Sequence, residues 1–105
     1  MNSPQSLSEV RARIDAIDAD LICLLADRQS LVRAAAAFKA DEQAVRAPSR
    51  VEQVIALARE RAIGAGLAPM VAESVWRAMI EAFIELEIAE QARHSSHAPT
   101  ERPTR

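Results

Sequence analysis

One stripe of apolar residues constrains this chain more than any other feature. Leu7, Val10, Ile14, Ile17, Leu21 and Leu24 recur in alternating steps of three and four, the spacing that lines one face of an α-helix. The stripe resumes at Leu31, Ala35 and Phe38, and no proline or glycine interrupts it. Ser6 followed by Glu9 fits a capping box, in which each side chain satisfies an otherwise orphan backbone N–H. Roughly 33 residues at ~1.5 Å each give a helix of about 50 Å. A compact domain of this size is only ~35 Å across. A single small globule cannot cover such a stripe along its whole length, and a partner chain is the simplest cover.

The rest of the chain reads as two more helices and a tail. Ala40 to Pro48 reads as a connection, because Pro48 disfavours helix at the preceding residue. A second helix is expected from Ser49, again with a capping-box pattern to Glu52, and with Val51, Val54, Ile55, Ala58 and Ala62 on its buried side. Gly64 and Gly66 are expected to end it. Pro69 suits the first turn of a third helix, whose stripe is Ala72, Val75, Trp76, Met79, Ile80 and Phe83, running on towards Ile88. Residues 6–93 thus form one helical domain between a flexible amino terminus, 1–5, and a polar tail, 94–105, expected to be disordered. The expected fold is all-α, with three helices per chain and a long first helix.

Composition excludes several classes of function. Two glycines and no tyrosine disfavour an all-β sandwich. The net charge of −2 argues against a nucleic-acid binder, which needs a basic face. No stretch approaches the ~20 apolar residues of a membrane span, and Met1 to Gln5 lack the pattern of a signal peptide. These absences point to a reducing, cytoplasmic setting. Cys23 is the only cysteine, and its apolar sequence neighbours suggest a buried thiol.

Function should show where a sequence breaks its own pattern, and three residues do. Arg28 falls on the first stripe, four after Leu24 and three before Leu31. Lys39 follows eleven residues later, about 1100° of helical rotation, some 20° beyond three full turns. The two cations would share one face about 16 Å apart, and could hold a small dianion between them. Glu87 stands on the buried stripe of the last helix, four after Phe83, where an unpaired charge is costly. Each has an ordinary explanation. Long cationic side chains snorkel to water, a cation near a helix C-terminus suits the dipole, and Glu87 could pair with an arginine at the stripe's edge. Their alignment favours a charged cavity in a helical bundle. His94 and His97 have metal-like spacing without a third ligand, and Asp15 and Asp18 fit a solvated face. There is no Gly-rich phosphate loop and no Ser-His-Asp constellation.

The segment Val10 to Arg28, V-R-A-R-I-D-A-I-D-A-D-L-I-C-L-L-A-D-R, closely resembles the first helix of the AroQ-type chorismate mutases, R-x-x-I-D-x-I-D-x-x-L-(x3)-L-(x2)-R. The spacing to Phe38-Lys39, the P-S-R-V at 48–51, the G-L-(x8)-W from Gly66 to Trp76 and the following I-E extend the resemblance over about residues 6–92. It implies an intertwined all-α homodimer with no metal or cofactor, acting on a dianionic small molecule. It also implies the roles of the site residues. Arg28, and Arg11 from the partner chain, would bind the two substrate carboxylates, where arginine's bidentate geometry is suited. Lys39 would donate to the ether oxygen as the C–O bond breaks, Arg50 would help orient the substrate, and Glu87 occupies the position of the second ether-oxygen donor. Arg11 lies about 100° from Arg28 on the helical wheel, so it cannot serve the pocket of its own helix face.

Two positions depart from that pattern. Bacterial mutases commonly carry glutamine where this chain has Glu87. A carboxylate cannot donate a hydrogen bond and a protonated carboxyl can, so Glu87 is expected to act protonated. The mutases also place acids beside their second-helix arginine to hold the ring hydroxyl, where this chain has Ala47 and Val51. The A-P-x-R-V segment looks instead like the related isochorismate-pyruvate lyases, although these too keep glutamine at the Glu87 position. The sequence therefore points first to chorismate mutase, second to isochorismate-pyruvate lyase, and third to a non-catalytic helical dimerisation module.

Overall fold

The computed structural model of the chain describes residues 3–97, and their side chains as far as Arg93. Four helices, and no strand, are found among them: α1 (Leu7–Ala36), α2 (Glu42–Arg46), α3 (Pro48–Ala65) and α4 (Pro69–His97). The chain divides between Arg33 and Ala34 into two compact units.

The first unit is almost entirely α1. Ser6 caps it as expected, its hydroxyl accepting from the Glu9 amide at 3.1 Å. The return bond of the box goes one residue further back, with Glu9 accepting from the Gln5 amide at 2.6 Å. No residue of α1 is buried. Leu7, Ile14, Ile17, Leu21, Leu24 and Leu31 are all half or more exposed by their accessible surface, or close to it at 49% for Leu21. The half-buried positions are Leu25, Arg28, Gln29, Val32 and Ala36, a face that meets the predicted stripe only at Arg28. Cys23 is exposed in the chain, against expectation.

α1 stops at Ala36, short of the Phe38 and Lys39 that the stripe had included. Its end tightens: the amides of Ala37, Phe38 and Lys39 donate to carbonyls three residues back at 3.0–3.3 Å, the narrower turn by which a helix end satisfies its last carbonyls. The regular rotation that was to carry Lys39 onto the face of Arg28 therefore ends before Lys39.

The second unit holds α2, α3 and α4. The expected connection contains a helical turn, α2, whose N-cap Asp41 accepts from the Ala44 amide at 2.9 Å. Ala47 ends α2 and starts α3 in the left-handed region, φ 34° and ψ 65°. Pro48 then takes the first position of α3, so Ser49 lies inside the helix and does not cap it. α3 ends at Gly66, φ 80°. The Leu67 amide reaches back to the Ala62 carbonyl at 2.8 Å, completing a Schellman-type stop that needs a residue tolerant of positive φ. Gly64 is still helical. Pro69 opens α4, which continues through His97, past the point where the sequence pattern ends; residues 98–105 of the expected tail lie outside the described residues.

Val45, Ile55, Ile80 and Ile84 form the core of this unit, with Val51, Val54, Trp76 and Ile88 packed around them. Burial of each isoleucine contributes about 1.5–3 kcal/mol. An exposed ion network joins α3 to α4 outside this core. Arg77 donates to both oxygens of Glu52 at 3.0 Å and to Glu73 at 3.0 Å, while Arg59 reaches Glu73 at 2.7 Å. These bonds hold the Glu52 and Glu73 carboxyls below their ordinary value and raise that of the Arg77 guanidinium.

Candidate functional site

The second unit brings two of the predicted residues together. Glu87 lies on α4 and is 5% exposed. The half-buried Lys39, from the short segment between α1 and α2, meets it across 48 residues of sequence, with Nζ 3.4 Å from Oε1 and 3.3 Å from Oε2. No arginine is needed for the pairing that the sequence left open. The helical register places Glu87 inward, three residues after Ile84 and seven after Ile80, on the same buried face. Both distances exceed the ~2.8 Å of a tight charge-assisted bond. The ammonium therefore straddles the carboxylate, and its remaining donor capacity stays available to a third oxygen.

The other predicted residues lie on α1 and α3. Arg50 sits in the first turn of α3 and is exposed, Arg28 is half-buried on α1, and Arg11 is exposed near the start of α1. Ala47 and Val51, at the positions where the mutase pattern has acids, bracket Arg50. Val51 turns into the core, and Ala47 occupies the left-handed turn.

A concavity of about 620 Å³ opens between α3 and α4 and includes Arg46, Val51, Glu52, Arg77 and Ile84. Its guanidinium groups are engaged by carboxylates: Arg46 by Glu42 at 3.1 Å, and Arg77 by Glu52 and Glu73. Among the described residues no helix is long and apolar enough to cross a membrane.

Sequence reasoning missed α2. Asp41 followed by Glu42 was a readable start signal, since a capping aspartate and an acid in the first turn both favour a helix N-terminus. The missed element carries Val45, the buried side chain nearest to Lys39 in sequence.

Comparison with known proteins places the chain in a family. Residues 10–88 match the family described as chorismate mutase type II, a span from the first turn of α1 to the residue after Glu87. The isochorismate pyruvate lyase of Pseudomonas aeruginosa is 40% identical over 58 residues, covering 52% of this chain and 57% of that protein. The chain thus spans little more than half the length of that relative. With the family matched along most of its length, this chain belongs to the chorismate mutase type II family.

Proposed function

We propose that the chain is a chorismate mutase, converting chorismate to prephenate in one pericyclic step. The Lys39–Glu87 pair carries this reading: an ammonium and a buried carboxyl side by side, at the two positions where the family resemblance puts the ether-oxygen donors. As the C–O bond breaks, negative charge grows on the ether oxygen. Fixed donors aimed at that oxygen stabilise the transition state more than the ground state. Lys39 donates directly, and Glu87 donates once it holds a proton. Arg28 and Arg50 take substrate carboxylate and orientation roles, and freezing the reactive conformer lowers the entropic barrier.

The active species is a homodimer, with Arg11 serving the partner's pocket. The support is α1 itself. Its stripe repeats with a spacing of three and four over more than three heptads, as a helix–helix seam does, and no residue of the helix is buried in the single chain. Contiguous apolar surface of this extent marks an interface.

A second reading, isochorismate-pyruvate lyase, is favoured by the likeness to the lyase and by Ala47 and Val51 in place of hydroxyl-binding acids. The same donor pair would serve it, because the same ether bond breaks. The test gives purified protein chorismate and isochorismate separately and follows prephenate, salicylate and pyruvate from about pH 5 to 8. Prephenate formed fast with little salicylate establishes the mutase, and fast salicylate and pyruvate the lyase. Turnover of neither sinks both and leaves a dimerisation module.

A further inference from the structure

Lys39 is the only lysine in a chain whose other basic side chains, apart from two histidines, are all arginine. It also sits in irregular backbone. α1 has ended at Ala36, and Lys39 and Ala40 belong to no helix. The next element, α2, has five residues, too few to be stable by themselves. Its Asp41 cap and its exposed Glu42–Arg46 pair are weak restraints in water. It leaves through Ala47 at φ 34°, a conformation that a residue with a Cβ adopts at a cost. Something else must fix this segment if Lys39 is to stay at Glu87.

Val45 is the one buried side chain between Ala37 and Ala47, at 3% exposure. It is set among Ile55 of α3 and Ile80 and Ile84 of α4. Ile80 and Ile84 precede Glu87 on the same face of α4. Val45 therefore pins the segment to the wall that carries the acid. The α2 turn links that anchor to the lysine six residues earlier.

We infer that Val45 is a positioning residue: by docking α2 against Ile80 and Ile84 it holds the Lys39 ammonium at Glu87. Its effect on turnover rests on the function proposed above, but its effect on the lysine does not. Truncation to alanine frees the segment without touching Lys39 or Glu87. Val54, half-buried against the same cluster from α3, is the control that loosens the core at a residue outside the Lys39 segment.

Two readouts separate positioning from general destabilisation. A lysine-specific protease has one site in this chain, after Lys39, so native-state cleavage into two fragments reports opening of this segment alone. Trace acetylation with an amine-reactive ester, read by peptide mass spectrometry, reports exposure of the Lys39 amine. Compared with Val54→Ala at equal thermal stability, Val45→Ala should raise both rates about ten-fold, as expected for local opening. On the preferred substrate it should lower kcat by about 10- to 100-fold with little change in KM, the effect of a misplaced donor. Val45→Ile should restore wild-type behaviour in both. Should Val45→Ala not fold, the near-isosteric Val45→Thr takes its place. Cleavage and acetylation rates no higher than those of Val54→Ala would overturn the inference. Raised rates in a protein that turns over neither chorismate nor isochorismate would uphold the anchor and remove the catalytic reading.

Discussion

A buried carboxylate facing a single ammonium makes Lys39 and Glu87 unequal to their mutants in two different ways. Lys39→Ala leaves Glu87, with a side chain 4% exposed, without its ion-pair partner. The expected cost is about 1–3 kcal/mol, measurable by urea unfolding. The double variant Lys39→Met/Glu87→Leu should regain most of that stability, since apolar replacement of a buried pair is often neutral, while turnover stays absent. Recovery of activity together with stability would mean that the pair is structural. Glu87→Gln separates the protonation question from the packing question. Wild-type turnover should favour acidic pH because the donor form of a carboxyl carries a proton, and the glutamine variant, a donor at every pH, should flatten that dependence. An unchanged profile removes Glu87 from the proton-dependent step.

Among the elements, α3 and α4 are held by a core and by the Arg77 network, and the two respond differently to acid. The Glu52 and Glu73 carboxyls titrate below their ordinary value of 4.5, chiefly because Arg77 hydrogen-bonds to them. A depressed value in the fold means that the network stabilises above the unfolded value and loses its effect as pH falls through the lower folded value. Arg77→Met should therefore lower the melting temperature at about pH 6, and its difference from wild type should shrink as pH falls below 4.5. A constant difference across that range would place the effect in packing. Most of these elements could be read from the sequence because their ends carry strong local chemistry: Ser6 at α1, Gly66 at α3 and Pro69 at α4. The misreadings have physical causes too. Val45 is the one large apolar residue in α2 and creates no period. Cys23 has Leu21, Ile22, Leu24 and Leu25 beside it in sequence, but its neighbours on a helix surface are Ala19, Asp20, Ala26 and Asp27. Lys39 and Glu87 were each singled out from the sequence as breaks in a pattern, and the structure pairs them. Their pairing could not be read from periodicity, because the backbone that joins them leaves the helix at Ala36.

For the whole molecule, Arg11 and Arg28 on one helix are assigned to two different pockets of the proposed dimer. Arg11→Ala and Arg28→Ala should each be nearly inactive alone. Mixed in equal amounts and allowed to re-associate, half of the dimers become mixed pairs with one intact site of two, giving about a quarter of wild-type activity. Activity no greater than the sum of the parents would place Arg11 and Arg28 in the same chain's site or take Arg11 out of it. The outward stripe of α1, from Leu7 to Leu31, has a thermodynamic consequence as well. If a second copy supplies its cover, the folded population is governed by mass action, and stability ceases to be a constant of the sequence. Each ten-fold dilution then weakens the folded state by about 1.4 kcal/mol per dimer, so the thermal midpoint should climb with protein concentration.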